Sequence, residues 1–127
     1  MGMRILIADD HEIVRRVLRL IIEARPNVEV IEAVNGREAV DKAAALAPDV
    51  VILDVFMPIL NGTDAAKEIK KFLPHVPILL LSMYDQEQLR DELSHVDVQG
   101  FIQKIDAMSK LPQALDAVEV DLAAAPR

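Results

Sequence analysis

The chain has 127 residues, a formal net charge of −7, and a composition that is 52 % hydrophobic but only 3 % aromatic. This length suits one domain, and the acidic balance argues against direct nucleic-acid contact, which needs Lys and Arg to displace counterions. The chain has no cysteine, which excludes disulfides, thiolate zinc sites and cysteine nucleophiles. No apolar run is long enough to span a bilayer, and the first residues lack the form of a signal peptide. We therefore expect a soluble, cytoplasmic domain without membrane contact.

Five short apolar runs alternate with segments of helical periodicity. Runs that are almost entirely aliphatic are typical of strands covered on both faces, whereas Val28–Ala33 alternates valine with glutamate and predicts a strand near the sheet edge. Strands that alternate with helices predict right-handed crossovers and a parallel sheet. The five predicted strands are Met3–Ala8, Val28–Ala33, 50–53, Ile78–Ser82 and Gly100–Gln103.

The segments between the runs predict five helices, each with apolar residues spaced along one face. We expect the fourth to be among the looser elements, since only Leu89 and Leu93 hold it. Ser109 is the expected N-cap of the fifth. We predict one domain over residues 1–122 and a frayed tail over 123–127. The predicted helices are the stripe from Ile13 to Ile22, then Gly36–Leu46, 65–72, 86–93 and 109–122.

Polar side chains stand at the carboxyl ends of four predicted strands, where open α/β sheets bind their ligands. Asp9 and Asp10 follow the first strand, Asp54 follows the third, Ser82 ends the fourth, and Lys104 follows the fifth. Carboxylates brought together at one edge repel each other unless a cation neutralises them. Mg²⁺ is the expected cation, because it prefers oxygen ligands.

Each of these residues also has a simpler interpretation when it is taken alone. Asp54 alone predicts a turn or a helix cap, and Asp10 could cap the first helix. Ser82 alone suggests a turn former, and Lys104 alone a solvated surface residue. His11 is interpreted as a surface residue at a helix start and not as a ligand. Taken together, however, the strand-end residues supply a carboxylate nucleophile and the hydroxyl, ammonium and cation that phosphoryl transfer to aspartate requires.

At these residues the sequence resembles the response-regulator receiver family of two-component systems, along about its whole length. The resemblance implies a single doubly wound α/β domain of the flavodoxin-like (βα)5 type, with a five-stranded parallel sheet in the order 2-1-3-4-5. Residues 9–12 and 81–85 are most similar to receivers of helix-turn-helix DNA-binding regulators. The matching stretches are residues 5–11, 35–39, 51–58, 80–83 and 100–104.

The resemblance also implies a phosphoacceptor and its metal site. Asp54 would accept the phosphoryl group. Asp10, Asp54 and the backbone carbonyl of Phe56 would ligate Mg²⁺ directly, and Asp9 would act through metal-bound water. The phosphodonor would be the phosphohistidine of a sensor histidine kinase, or a small donor such as acetyl phosphate. The only catalysis implied is that of the domain's own phosphorylation and dephosphorylation.

A switch is implied by the same resemblance. Lys104 would contact Asp54 before phosphorylation and a phosphoryl oxygen after it. Ser82 would move to bond another phosphoryl oxygen, and Phe101 would turn inward as Ser82 moves. The face built from the fourth helix, the fifth strand and the fifth helix would then control an output domain or a downstream protein. Homodimerisation on phosphorylation is left open.

Three positions depart from the common family pattern. Ile105 follows Lys104 where many receivers have a proline and a cis bond, so the geometry of Lys104 is open. Phe56 and Tyr84 lie two residues after the acceptor and after Ser82, positions at which the family tunes hydrolysis. Two interpretations of these rings stay open: they shield the acyl phosphate from water, or they point away and only pack.

Three other functional interpretations compete with that of a receiver that accepts phosphate. A haloacid-dehalogenase-like phosphatase would need a second aspartate as general acid where Phe56 stands. A flavodoxin-like cofactor binder would need a phosphate loop rich in Ser, Thr and Gly after the first strand, where residues 9–12 are mostly acidic. The third is a receiver that no longer accepts phosphate and serves only as an interaction module.

Overall fold

The computed structural model describes residues 2–124. In this part of the chain, five parallel strands alternate with five α-helices, and the sheet has the order β2-β1-β3-β4-β5, as predicted. A turn of 3₁₀ helix, Lys104–Asp106, follows the last strand. The strands are β1 Met3–Ala8, β2 Val28–Ala33, β3 Val50–Asp54, β4 Ile78–Ser82 and β5 Gly100–Gln103, and the helices are α1 Glu12–Glu23, α2 Gly36–Leu46, α3 Gly62–Phe72, α4 Arg90–Leu93 and α5 Ala107–Ala124.

The sheet separates two apolar cores, because successive side chains of a strand point to opposite faces. On one face, Leu6 and Leu53 pack with Ile69 of α3 and with residues of α2. On the other, Ile7 and Ile52 pack with residues of α1 and α5. All residues of β3 and β4 are buried, whereas β2 is partly exposed. The position of β2 at the sheet edge confirms the prediction from its alternating pattern.

Helix α3 begins earlier than the predicted residue 65, and α5 begins earlier than residue 109. Asn61 caps α3, since its side chain accepts a hydrogen bond from the Asp64 amide at 2.9 Å. The N-cap prediction for Ser109 is wrong, because the 3₁₀ turn continues directly into α5 at Ala107. The Ser109 hydroxyl instead donates back to the Asp106 carbonyl at 3.2 Å.

Helix α4 is shorter than the predicted 86–93. Asp85 and Gln88 do form a capping box, in which each side chain accepts a hydrogen bond of 2.9 Å from the other's amide. The next amides, those of Leu89 and Arg90, bond carbonyls three residues back at 3.3 Å, so residues 86–89 form turns and the helix has only four residues. Leu89 is buried and Leu93 packs partly against the core, as predicted.

Helix α5 continues through Ala124, whereas we predicted its end near Leu122. The rest of the predicted tail, residues 125–127, lies outside the described residues, and the domain limits 1–122 stay a prediction. None of the helices within residues 2–124 is both long and apolar enough to cross a membrane.

Candidate functional site

The ends of β1, β3 and β4 place three buried polar side chains at one edge of the sheet. Asp9 follows β1, Asp54 ends β3 and Ser82 ends β4, and their exposed fractions are 0 %, 5 % and 1 %. The register pairs Ala8 with Leu53 and Asp54 with Leu81, so these ends lie side by side. Burying polar groups is costly unless they are paired, which makes this edge the candidate site.

Lys104 joins the carboxylates from the end of β5. Its Nζ lies 2.7 Å from Asp9 Oδ2 and 3.3 Å from Asp54 Oδ2. Asp9 Oδ2 is buried and has no well-angled hydrogen-bond donor in the described part of the chain, so this ion pair is what compensates its charge. Ile105 is exposed, and residues 2–124 contain no cis peptide bond. Ile105, which stands where many receivers have a proline, therefore leaves Lys104 within reach of both carboxylates.

The shared charge environment shifts two pKa values. Burial, and to a lesser extent the charges of Asp9 and Asp10, raise the pKa of Asp54 to about 6, although Lys104 opposes this shift. Burial alone would lower the pKa of Lys104, but Asp9 and Asp54 more than offset that effect and raise it. Lys104 therefore stays protonated, while Asp54 is half ionised at a pH of about 6.

A group of potential metal ligands surrounds the same carboxylates. Asp9, Asp10, His11 and Asp54 each offer one ligand atom, and these atoms all lie within 4.8 Å of one another. The N-cap of α1 is His11, without a side-chain cap bond, so the interpretation of Asp10 as a helix cap is not supported. The carboxylate oxygens, one of which lacks a well-angled hydrogen-bond donor, form a donor set that fits Mg²⁺.

His11 lies closer to the acidic group than the sequence suggested. Its side chain is 63 % exposed, as expected for a surface residue, but Nδ1 lies 3.1 Å from Asp9 Oδ1 and 3.3 Å from Asp10 Oδ1. The His11 amide also donates to Asp9 Oδ1 at 2.9 Å. Asp9 is thereby held from both sides, by His11 at Oδ1 and by Lys104 at Oδ2.

The hydroxyl group of Ser82 has a defined resting partner. Its Oγ accepts a hydrogen bond from the Tyr84 amide at 3.0 Å, which leaves its O–H group available as a donor. Gln103 donates to the Met83 carbonyl at 3.1 Å and so ties β5 to the segment after β4. Phe101, the predicted switch residue, lies in β5 and packs half-buried against the core on the α2–α3 face.

Phe56 and Tyr84 contact each other above the segments that follow β3 and β4. Their ring centroids are 5.9 Å apart at an interplanar angle of 88°, an edge-to-face arrangement, and about half of each side chain is exposed. Leu89 and the polar residues Gln88 and Glu92 line a cleft beside them. The rings therefore pack against each other while remaining on the surface.

Two glycines whose roles were not predicted from the sequence position the segment after β3. A Cβ at Gly62 would overlap the Asp54 carbonyl, and a Cβ at Gly36 would overlap the Leu60 carbonyl. The Gly62 amide also donates to the Val55 carbonyl at 2.7 Å. The sequence feature that could have indicated these roles is that each glycine is the first residue of a helix, Gly36 of α2 and Gly62 of α3.

Comparisons with known proteins agree with this arrangement. The family model of the response regulator receiver domain matches residues 5–116. The chain is 40 % identical to the chemotaxis protein CheY of Thermotoga maritima over 118 residues, which cover 93 % of this chain and 98 % of CheY. It is 36 % identical to the transcriptional regulatory protein YdfI of Bacillus subtilis over 115 residues, 90 % of this chain but only 54 % of YdfI.

A solved structure shows the same fold. The response regulator domain of Thermotoga maritima CheB superposes with a TM-score of 0.81 at 30 % identity, over 99 % of this chain and 100 % of that domain. The order of the five strands is the flavodoxin-like order of doubly wound sheets. Sequence, sheet topology and strand-end residues agree, and the chain belongs to the response regulator receiver domain family of two-component systems.

Proposed function

We propose that Asp54 is the residue that accepts the phosphoryl group in this receiver domain, in a site that uses Mg²⁺. The observation that supports this most directly is the position of Asp54, which is buried at the end of β3 with Lys104 Nζ at 3.3 Å. Asp10 is exposed and Asp9 is held by Lys104 at 2.7 Å, so Asp54 is the buried carboxylate with the looser ion pair.

The proposed reaction is a phosphoryl transfer. One Asp54 carboxylate oxygen attacks phosphorus, the P–N bond of a phosphohistidine or the P–O bond of acetyl phosphate breaks, and the imidazole or acetate leaves. Asp54 must be ionised to attack, and it is ionised near neutral pH because its pKa is about 6. The Lys104 ammonium offsets the negative charge of the phosphoryl oxygens.

Asp10, Asp54 and the backbone carbonyl of Phe56 would hold the cation, with Asp9 acting through water. When bound, Mg²⁺ would supply positive charge against the phosphoryl oxygens. The contribution of the chain itself is to keep the carboxylates in place. His11 and Lys104 fix the two oxygens of Asp9, and Gly62 allows the Asp54 backbone and the start of α3 to lie in contact.

Phosphorylation would be read out through Ser82 and Phe101. The Ser82 O–H would donate to a phosphoryl oxygen, and the half-buried Phe101 would turn further inward. Helix α4 is the element best suited to respond, because none of its own residues is buried and it has no side-chain N-cap. The α4/β5/α5 face would then bind an output domain or a downstream protein. We propose no reaction on a separate substrate and no direct nucleic-acid contact.

The switch predicts where phosphorylation changes hydrogen exchange. We expect amide exchange in residues 83–103 to change when the domain is phosphorylated, while β1 and α2 keep their protection, since Ser82 lies at the end of β4 and Phe101 lies in β5. Hydrogen-exchange mass spectrometry of the phosphorylated and unphosphorylated chain measures this. Equal exchange of residues 83–103 in the two states would contradict the proposed switch without bearing on the acceptor.

Incubation with acetyl phosphate tests the proposed function itself. In buffer with Mg²⁺ we expect the intact mass of the chain to increase by one phosphoryl group, and with EDTA we expect no increase. If the mass stays unchanged in both buffers and with a histidine kinase as donor, the proposal fails. The chain would then be a receiver that serves only as an interaction module.

A further inference from the structure

His11 places a ring nitrogen among the carboxylates of the acidic site. Nδ1 lies 3.1 Å from Asp9 Oδ1 and 3.3 Å from Asp10 Oδ1. In an octahedral shell with metal–ligand bonds of about 2.1 Å, neighbouring ligand atoms are about 3.0 Å apart. The nitrogen and the Asp10 oxygen are therefore spaced approximately as neighbours in one coordination shell, with Asp9 Oδ1 beside them.

The backbone fixes this position of the ring. His11 is the residue before α1 and has an extended conformation, and its amide donates to Asp9 Oδ1 at 2.9 Å. This bond anchors the start of the side chain beside the carboxylate. The far side of the ring is open to solvent, since the side chain is 63 % exposed, so a hydrated cation can reach the space between the ring and the carboxylates.

We propose that His11 Nδ1 is a ligand of the cation site, which therefore binds transition-metal dications more tightly than Mg²⁺. This inference rests on the cation site of the proposed function and adds a nitrogen to its oxygen ligands. Imidazole is a good ligand for Ni²⁺ and Zn²⁺, whereas Mg²⁺ takes oxygen ligands almost exclusively. His11 in its neutral form, with the proton on Nε2, presents the Nδ1 lone pair to the metal.

A simpler role for His11 makes a different prediction. If Nδ1–H only donates a hydrogen bond to Asp9 Oδ1, the nitrogen carries a proton and cannot bind a metal. The bound cation would then have oxygen ligands alone, and His11→Gln would not alter the preference of the site for a transition metal over Mg²⁺. The two roles differ in one directly measurable property, which is nitrogen coordination of the bound metal.

Pulsed electron paramagnetic resonance of bound Mn²⁺ measures that property. The chain is labelled with ¹⁵N-histidine, and its three histidines are replaced one at a time as His11→Gln, His75→Gln and His95→Gln. His75 and His95 are exposed and lie outside the acidic group, which makes their variants matched controls. We expect a ¹⁵N coupling to Mn²⁺ in the wild type and in both controls, and none in His11→Gln.

Calorimetric titration with Ni²⁺ and with Mg²⁺ supplies a second readout. We expect His11→Gln to raise the Kd for Ni²⁺ by about tenfold or more and the Kd for Mg²⁺ by less than about twofold. Mn²⁺ binding without ¹⁵N coupling, or coupling that survives in His11→Gln, would overturn the role of His11 and leave the proposed function intact. Failure of the wild type to bind any of the three cations would instead overturn the cation site of the proposed function.

Discussion

The Asp54 carboxyl group loses most of its contact with solvent at the end of β3, and its neighbours do not fully compensate its charge. Its pKa is raised from 3.8 to about 6, mainly by burial and then by Asp9. The folded chain thus holds this proton more tightly than the unfolded chain does. The free energy of unfolding consequently decreases as the pH rises through the window between about 4 and 6.

Asp54→Asn removes this titration. In metal-free buffer near neutral pH, we expect the variant to be more stable than the wild type by up to about 3 kcal/mol, and we expect the gain to disappear toward pH 4. Urea denaturation across this range measures the difference. Asp121→Asn, at an exposed position of α5, is the matched control. A gain for Asp54→Asn that is the same at both ends of the range would show that ionisation of Asp54 is not its cause.

The ring pair of Phe56 and Tyr84 bears on how long the phosphoryl group remains. The two rings pack edge to face, 5.9 Å apart, on the segments that follow Asp54 and Ser82. If they restrict the approach of water to the acyl phosphate, Phe56→Asn and Tyr84→Ala shorten its half-life severalfold. Loss of the phosphoryl mass after removal of the donor gives this half-life. Phe72→Ala, which alters a similarly exposed ring outside the site, is the control.

An unchanged half-life in both ring variants would mean that the rings only pack against each other. That outcome would select the second of the two interpretations that the sequence left open. It would not affect the assignment of the acceptor, because the rings have no part in the attack on phosphorus.

At the scale of single elements, the connection from β3 to α3 depends on a close approach that only glycine permits. A Cβ at Gly62 would overlap the Asp54 carbonyl, whereas a Cβ at Gly100 would meet only the end of the Leu79 side chain, which can move. We expect Gly62→Ala to lower the free energy of unfolding by about 1–3 kcal/mol and to slow phosphorylation, because the end of β3 must shift.

Gly100→Ala is the matched control for that variant. Alanine has the higher helix propensity, and Gly62 lies in α3, so a loss of stability in Gly62→Ala is attributable to the overlap with Asp54. Denaturation and the initial phosphorylation rate of both variants provide the comparison. Equal stability and equal rates would show that the strand end accommodates the methyl group.

The strands were predictable because their aliphatic runs have sharp limits, and only Asp54 had to be added to β3. The helix starts were less predictable. Asn61 caps α3 four residues before the predicted apolar pattern begins at residue 65. Asp85 and Gln88 form a capping box. The residues that follow it form turns, and α4 begins only at Arg90. Local hydrogen bonds, which hydrophobic periodicity does not report, determined these limits.

At the scale of the whole molecule, the order of the strands determines which side chains can meet. The parallel sheet brings the ends of β1, β3 and β4 together, so the grouping of Asp9 with Asp54 followed from their places along the sequence. The 2.7 Å contact of Lys104 with Asp9 and the contacts of the His11 ring with the carboxylates could not be predicted in this way, because they depend on side-chain rotamers. Gly62 was missed for a related reason, since its contact exists only after α3 has packed on the end of β3.

Locating the phosphoryl group tests directly whether Asp54 is the acceptor. Wild type, Asp54→Asn and Asp85→Asn are incubated with acetyl phosphate and Mg²⁺, and intact masses are measured. Asp85 is an exposed aspartate soon after Ser82, so its variant controls for the loss of a nearby carboxylate. We expect one added phosphoryl group on the wild type and on Asp85→Asn, and none on Asp54→Asn. Stoichiometric phosphorylation of Asp54→Asn would show that Asp54 is not the acceptor.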